Sequence, residues 1–297
     1  MRSAVRMMLT AGGVWLALAA SAAPAGDAPL DAARVRAACL NALGKRSGAI
    51  AVVDIQGEQC LACVPDGACG VKHPPGSIAK LVTTHAGLLS GRIRENTTFE
   101  CRGAIRIAGR IYHCSVPGGH GRLQLPDALS RSCNIWFYQA GRRIGKKAIL
   151  RSWKLLGVTV TQDNSDGIPI ERLAAAGEGL LVSPLEMAAI CRTIALKKDV
   201  PGSPCRTLAE GMEEAVAHGT AQALAGLPAR PAGKTGSPEH SADPARRHGW
   251  FVGYAPRDRP RIAFAIFCLE GNAYSSAVPV ADKMLRNLFP AKPGGPR

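Results

Sequence analysis

The sequence predicts an α+β fold: an antiparallel five-stranded sheet flanked by helices, with a mainly helical subdomain. Three observations predict it. Two strand-like runs, residues 47–55 and 59–64, lie at the start of the body of the chain. Three more, 234–237, 248–255 and 261–269, lie near its end. Between the two groups, apolar residues recur at helical spacing. Strands segregated from helices in this way favour an antiparallel sheet over alternating βαβ units.

Taken in order, Val35, Ala38, Cys39 and Ala42 give residues 31–43 helical spacing. Ser47 to Ile55 is an apolar strand turned by Gln56-Gly57, and a second strand, 59–64, returns antiparallel. Pro74-Pro75-Gly76 runs into a helix that begins at Ser77 and stops at Ser90-Gly91. Cys101 and Cys114 flank an alternating segment with a central Ala-Gly, which reads as a small hairpin with its ends clipped by a disulfide. Residues 117–121 form a loop. Helices are expected at 123–131, 134–145 and 147–157, followed by a polar loop at 161–170. Ser183-Pro184 starts another helix, with proline at its first position. Residues 208–217 and 277–289 complete the helical set, and 238–247 is a polar turn between strands.

The chain has 297 residues and a formal net charge of +15. Residues 1–25 read as a secretory signal: Arg2 and Arg6, an apolar run from Met7 to Ala20, then small residues for cleavage. Gly12, Gly13 and the Ala-rich end favour cleavage; uncleaved, the same segment would serve as a membrane anchor. Residues 26–46 form a helical lead-in, 47–290 one domain, and 291–297 a tail. The body is thus expected to be exported, periplasmic or in the cell envelope. A basic exported protein is biased toward anionic partners. Nucleic acid is not expected, because there is no basic run of five or more and no matching motif. All ten cysteines lie after the signal, which favours disulfides. Cys205 is a candidate partner for Cys191. Neither the cysteines nor the seven histidines match zinc-finger or His-Glu-x-x-His spacing, so no metal and no cofactor are expected.

The chemistry-bearing stretch is Ser77-Ile78-Ala79-Lys80. Positions i and i+3 share a helix face, so the Lys80 amine reaches the Ser77 hydroxyl. Unpartnered N–H groups at the helix start favour an alkoxide and an oxyanion. This is the chemistry of a serine nucleophile whose base is lysine. The bland alternative is a helix-capping serine beside a solvated lysine, since Ser-x-x-Lys occurs by chance about once per 300 residues. Ser132-Cys133-Asn134 and Lys234-Thr235-Gly236 follow, each once and in that order. The three together form a known motif set of serine acyl-transfer enzymes.

On these residues the chain resembles the transpeptidase domain of penicillin-binding proteins, the penicillin-binding protein 2 type above all, within the serine β-lactamase and DD-peptidase superfamily. Gly48 to Asp54, Pro74 to Lys80, Gly118-Gly119-His120-Gly121, Gly177-Glu178-Gly179, Val182 to Ala188, Lys234 to Ser237 and Gly249 to Pro256 are similar to segments of that family. The resemblance covers about residues 47–290. Large members carry an N-terminal non-catalytic domain and an anchor; this sequence is read as the catalytic domain alone. Ile78-Ala79 stand where Thr-Phe is more usual, a change expected to affect packing only.

The resemblance implies a DD-transpeptidase or DD-carboxypeptidase acting on peptidoglycan stem peptides and acylated by β-lactams. Ser77 would be the nucleophile and Lys80 its base, neutral part of the time through burial and the charge of Lys234. Ser132 would relay a proton to the leaving amine. Asn134 would bind a substrate amide through both ends of its side chain, and in extended backbone Ser132 and Asn134 would share a face with Cys133 turned inward. Lys234 and Thr235 would take the terminal carboxylate, Gly236 would admit substrate backbone, and the N–H groups of Ser77 and Ser237 would form the oxyanion hole. His120 is read as lining the site mouth. Two alternatives remain open: a β-lactamase of the same fold, for which no Glu-x-x-Leu-Asn follows Ser132, and a non-catalytic penicillin-binding sensor or scaffold.

Overall fold

The structure, a computed structural model, describes residues 30–57, 59–160, 166–239 and 246–291. The expected signal segment, 161–165, the middle of the 238–247 turn and nearly all of the tail lie outside these residues. The chain divides into two units, Met1–Leu30 and Asp31–Arg297, and the elements below belong to the second.

Helix α1 (Ala32–Leu43) is capped by the Asp31 carboxylate, which accepts from the N–H groups of Ala33 and Arg34. Strands β1 (Gly48–Asp54) and β2 (Cys60–Val64) form the expected antiparallel pair, bulged between Val52 and Val53. Next come α2 (Ala79–Leu89), β3 (Phe99–Cys101), and the hairpin β4 (Ala104–Ile107) and β5 (Arg110–His113). The hairpin turns at Ala108-Gly109, both with positive φ, as its two-residue loop requires. A short strand β6 (Gly121–Leu123) pairs with β3, a sheet that the sequence reading missed. Helices α3 (Leu125–Ser130), α4 (Asn134–Ile144), α5 (Lys146–Leu155) and α6 (Ile170–Ala176) follow, and α6 also went unpredicted. Helix α7 (Pro184–Lys197) begins with a full capping box between Ser183 and Glu186, with Pro184 in its first turn. Helix α8 (Pro204–Ala217), strands β7 (Ala232–Gly236), β8 (Gly249–Ala255) and β9 (Ile262–Cys268), and helix α9 (Val278–Leu288) complete the order.

The main sheet runs β2-β1-β9-β8-β7, and every neighbouring pair is antiparallel. Strands β7, β8 and β9 are buried along their whole length, so both faces of the sheet are covered. Ala49, Ala51 and Val53 of β1 join the main core with Met187 and Ile190 of α7; the alternate residues, Ile50 and Val52, point the other way. Helices α1 and α9 pack together, with the Cys39 Sγ 3.7 Å from the Met284 Sδ. Helices α2–α6 and α8 form the helical subdomain, built on the buried aromatic residues Trp136, Phe137 and Trp153. Among the described residues no helix is long and apolar enough to cross a membrane.

One disulfide is formed among the described residues, Cys63–Cys69. The expected Cys101–Cys114 and Cys191–Cys205 bridges are not: all four are free thiols. The hairpin needs no clip, because its ladder runs from Ala104↔His113 to Ile107↔Arg110, and the Cys114 N–H donates to the Gly103 carbonyl at 2.7 Å.

Candidate active site

Three chain segments meet where the helical subdomain abuts strand β7, the edge strand of the sheet. The first is the turn before α2. Gly76 takes a positive φ, and a Cβ there would lie 2.9 Å from Pro238, so the chain can pass this close to the strand only as glycine. Residues Gly76–Ile78 form a single 3-10 turn that runs directly into α2. Ser77 therefore sits in this tighter turn, two residues before the α-helix that was expected to begin at it. The i, i+3 relation survives: the Lys80 Nζ lies 2.7 Å from the Ser77 Oγ. The Trp250 indole N–H donates to the Pro74 carbonyl at 3.0 Å and ties this turn to β8.

The second segment is the turn between α3 and α4. Ser132 is not extended, as expected, but has φ +55, and Cys133 is the residue before the first turn of α4. The reversal turns Cys133 fully into the core, as expected, while Ser132 and Asn134 still meet the same lysine. Lys80 Nζ is 3.3 Å from the Ser132 Oγ and 2.7 Å from the Asn134 Oδ1. Asn134 thus spends its acceptor end on Lys80, leaving its amide donor for a ligand.

The third segment is β7. Lys234 Nζ donates to the Ser132 Oγ at 2.9 Å and to the Thr235 carbonyl at 3.0 Å, and the hydroxyls of Thr235 and Thr220 are 2.7 Å apart. Gly236 has a different reason from the one expected. A Cβ there would stand 3.0 Å from Ile78 and 3.2 Å from the Pro75 carbonyl, so its absence lets β7 pack on the nucleophile's turn. Ser77 and Ser237 line one cleft of about 520 Å³, with Asn134, Tyr138, Arg172, Glu178 and Arg247. Tyr138, Arg172 and Arg247 carried no motif in the sequence, whereas Glu178 lies in the quoted Gly177-Glu178-Gly179 segment. Arg172 is ion-paired with Glu178 and lies over the Tyr112 ring at 5.0 Å, and Arg247 donates to the Ser237 carbonyl at 3.2 Å.

Lys80 and Lys234 are both fully buried. Burial pulls Lys80 down to about 7, so a large fraction is neutral near neutral pH. Burial, and then the charge of Lys80, hold Lys234 well below the usual lysine range. Of the two causes expected for Lys80, burial is the one that acts, while the like charge is felt by Lys234.

Beside this site the structure brings together four donors that the sequence reading kept apart. The thiols of Cys101, Cys114 and Cys133 and the imidazole of His120 all lie within 4.8 Å of one another. His120 is therefore part of this cluster and not of the site mouth. Cys114 Sγ is 3.9 Å from Cys133 Sγ and 3.3 Å from His120 Nδ1; Cys101 Sγ is 3.7 Å from the same nitrogen. Tetrahedral zinc, at about 2.3 Å from sulfur and about 2.0–2.1 Å from nitrogen, sets its donors about 3.8 and about 3.6 Å apart. The spacing of the four donors suits such an ion. A closed set of three thiolates and one imidazole leaves no open position, so an ion there supplies structure and not Lewis acidity.

Fold and site together define a serine acyl-transfer domain: a buried lysine on a hydroxyl at the foot of a helix, a second serine between two lysines, and a strand edge across the cleft. The chain matches the penicillin binding protein transpeptidase domain over residues 48–289 and belongs to that family. It is 27% identical to the peptidoglycan D,D-transpeptidase PbpA of Mycobacterium tuberculosis, covering 67% of this chain and 50% of that protein. Among solved structures it superposes on Pseudomonas aeruginosa PBP2 with a TM-score of 0.77 at 20% identity, covering 89% of this chain and 78% of that one. An acyl-enzyme complex of penicillin-binding protein A from M. tuberculosis superposes with a TM-score of 0.73 at 20% identity, covering 86% and 78%. The chain spans about half the length of the curated relatives it matches.

Proposed function

We propose that the chain acts outside the cytoplasm as a serine DD-transpeptidase or DD-carboxypeptidase on peptidoglycan stem peptides, through an acyl-enzyme on Ser77. The observation that carries this is the buried amine of Lys80, 2.7 Å from the Ser77 hydroxyl and near 7 in pKa. A neutral amine takes the hydroxyl proton as the oxygen attacks the carbonyl between two D-alanines. Ser77 and Ser237 line the same cleft, which suits their N–H groups to the developing oxyanion. Ser132, 3.3 Å from one lysine and 2.9 Å from the other, is placed to pass a proton to the leaving amine. Asn134 has its amide donor left for the substrate backbone. Lys234 and Thr235 receive the terminal carboxylate, whose charge favours the protonated form of Lys234.

β-Lactams are expected to acylate the same serine, and Cys101, Cys114, His120 and Cys133 would hold a zinc ion that braces the second motif. Mass spectrometry with benzylpenicillin tests the reading. The expected result is a stoichiometric adduct on the Ser77 peptide lasting minutes or longer, and none in Ser77→Ala. Steady turnover of penicillin would make the protein a β-lactamase; absence of any adduct in folded, metal-loaded protein would leave a binding or scaffold role.

A further inference from the structure

The four-donor cluster is built into the second motif. Cys133 stands between Ser132 and Asn134, and its Sγ also accepts the Trp136 N–H at 3.4 Å at the start of α4. Cys101 sits in β3 and Cys114 just beyond β5, with His120 on the loop between them and α3. Whatever state these sulfurs adopt is transmitted to both neighbours of Cys133 through one peptide bond each.

Three thiolates in one site can exist in two closed-shell states. They can bind one ion, or two of them can join. We propose that Cys101, Cys114, His120 and Cys133 form an oxidation-sensitive zinc lock on the second motif: zinc holds Ser132 and Asn134 in place for acylation, and a Cys114–Cys133 disulfide releases the ion and stops acylation. This rests on the penicillin-binding reading only for its acylation readout.

The choice of pair follows from exposure and distance. Cys101 and Cys133 are buried, whereas Cys114 is partly exposed and followed by exposed Ser115 and Val116. A two-electron oxidant such as hydrogen peroxide meets Cys114 first. The Cys114 sulfur attacks one peroxide oxygen, the O–O bond breaks, and hydroxide leaves, giving a sulfenic acid. The Cys133 sulfur, 3.9 Å away, then attacks the Cys114 sulfur and displaces its oxygen as water. In sum, two zinc-bound thiolates lose two electrons, peroxide takes them up together with two protons from solvent, and two waters result. Two donors are thereby removed. Cys101 and His120 remain, too few for a structural zinc site.

A disulfide needs its sulfurs about 2.0 Å apart, so the pair must close by nearly 2 Å. Cys133 moves with its neighbours, and Ser132 and Asn134 each contact the Lys80 amine within 3.3 Å. A displacement of about 1 Å at such a site costs on the order of 100-fold in rate. In an oxidising compartment the bound ion guards the thiolates, so the site responds only when oxidant outcompetes zinc.

The experiment uses the full chain, reduced and loaded with zinc. Metal is measured by inductively coupled plasma mass spectrometry, pairing by non-reducing peptide mapping, and acylation with a fluorescent penicillin, each before and after hydrogen peroxide. The expected result is one zinc per chain at the start. Peroxide then releases it, a Cys114–Cys133 peptide appears, and labelling falls about 100-fold, with recovery on adding reductant and zinc. Cys114→Asp keeps an oxygen donor for zinc but cannot form the bridge, so its metal content and labelling should be equal before and after peroxide. Three results would each overturn the proposal: no zinc taken up by folded protein, zinc lost with labelling unchanged, or a different pair joined. If zinc-loaded wild type never labels, the functional reading fails, while metal release and mapping still decide this one.

Discussion

Acylation should follow the deprotonation of Lys80. The amine must be neutral to accept the Ser77 proton, and burial places its pKa at about 7. Below that value the neutral fraction falls tenfold per pH unit, so it is about one half at pH 7 and about 1 in 100 at pH 5, a rise of about 50-fold. Above pH 8 the rate should level. An ordinary lysine near 10.4 would be neutral in only about 1 in 2,500 chains at pH 7, and the rate would still climb tenfold per unit at pH 9. Second-order constants for a fluorescent penicillin, measured from pH 5 to 9, separate the two. A rate that is flat across this range, or one that still rises tenfold between pH 8 and 9, refutes the assignment of Lys80 as the base. The same shift has a stability consequence of definite sign. The folded value lies below the unfolded one, so between about pH 7 and 10 the unfolded chain holds a proton that the folded chain lacks. Stability contributed by this group therefore rises with pH, by up to about 1.4 kcal/mol per unit. Urea midpoints at pH 7 and 8, wild type minus Lys80→Met, isolate that slope; a difference that falls with pH contradicts the burial argument.

Three substitutions probe the surroundings. Lys80→Ala removes the only amine in contact with the Ser77 hydroxyl among the described residues, and acylation should fall by about 100-fold to 10,000-fold; a loss within tenfold, with the far-ultraviolet spectrum intact, sinks its role. Gly236→Ala drives a methyl against Ile78, the Pro75 carbonyl and Trp250, at 3.0–3.2 Å. It should cost about 1–3 kcal/mol in stability and slow acylation more than tenfold, read by thermal melting and penicillin labelling. Trp250→Phe keeps the ring but loses the 3.0 Å bond to Pro74, so denaturant titration should show about 1 kcal/mol lost, plus the effect of the smaller ring.

Most of the sheet was legible because β1, β8 and β9 announce themselves by largely apolar runs, whereas β7 was found through Lys234-Thr235-Gly236. Val52, Val252 and Ala265 are fully buried, and only residues covered on both faces can be so uniformly apolar. The Ser77–Lys80 contact was legible for a similar reason: it depends on helical periodicity alone, and a 3-10 start does not disturb it. What could not be read was the reason for a residue type. Gly236 was assigned to the substrate side, but the side it faces is decided by how close β7 comes to Ile78, a tertiary distance. Arg172, Glu178 and Arg247 reach the cleft from α6 and two loops whose packing no local pattern encodes, and α6 itself went unseen beside the polar stretch before it.

The cysteines show the limit most clearly. The alternating segment between Cys101 and Cys114 correctly predicted a hairpin, and two cysteines at the ends of a hairpin in a chain read as exported invite a bridge. Two events distant in sequence decide otherwise. Strand β6 pairs with β3 and carries the His120 loop back over Cys101. Ser132 takes a positive φ and turns Cys133 to within 3.9 Å of Cys114. With donor spacings of 13, 6 and 13 residues, no zinc-finger pattern could flag the set. Yet each donor has a local reason to be where it is: a strand end, a hairpin end, a glycine-flanked loop and a helix start. A disulfide between Cys101 and Cys114 would have closed the hairpin and left Cys133 without a partner. Four convergent donors instead gather the hairpin, the loop and the second motif at one point, next to Asn134, which contacts a lysine 54 residues away in sequence.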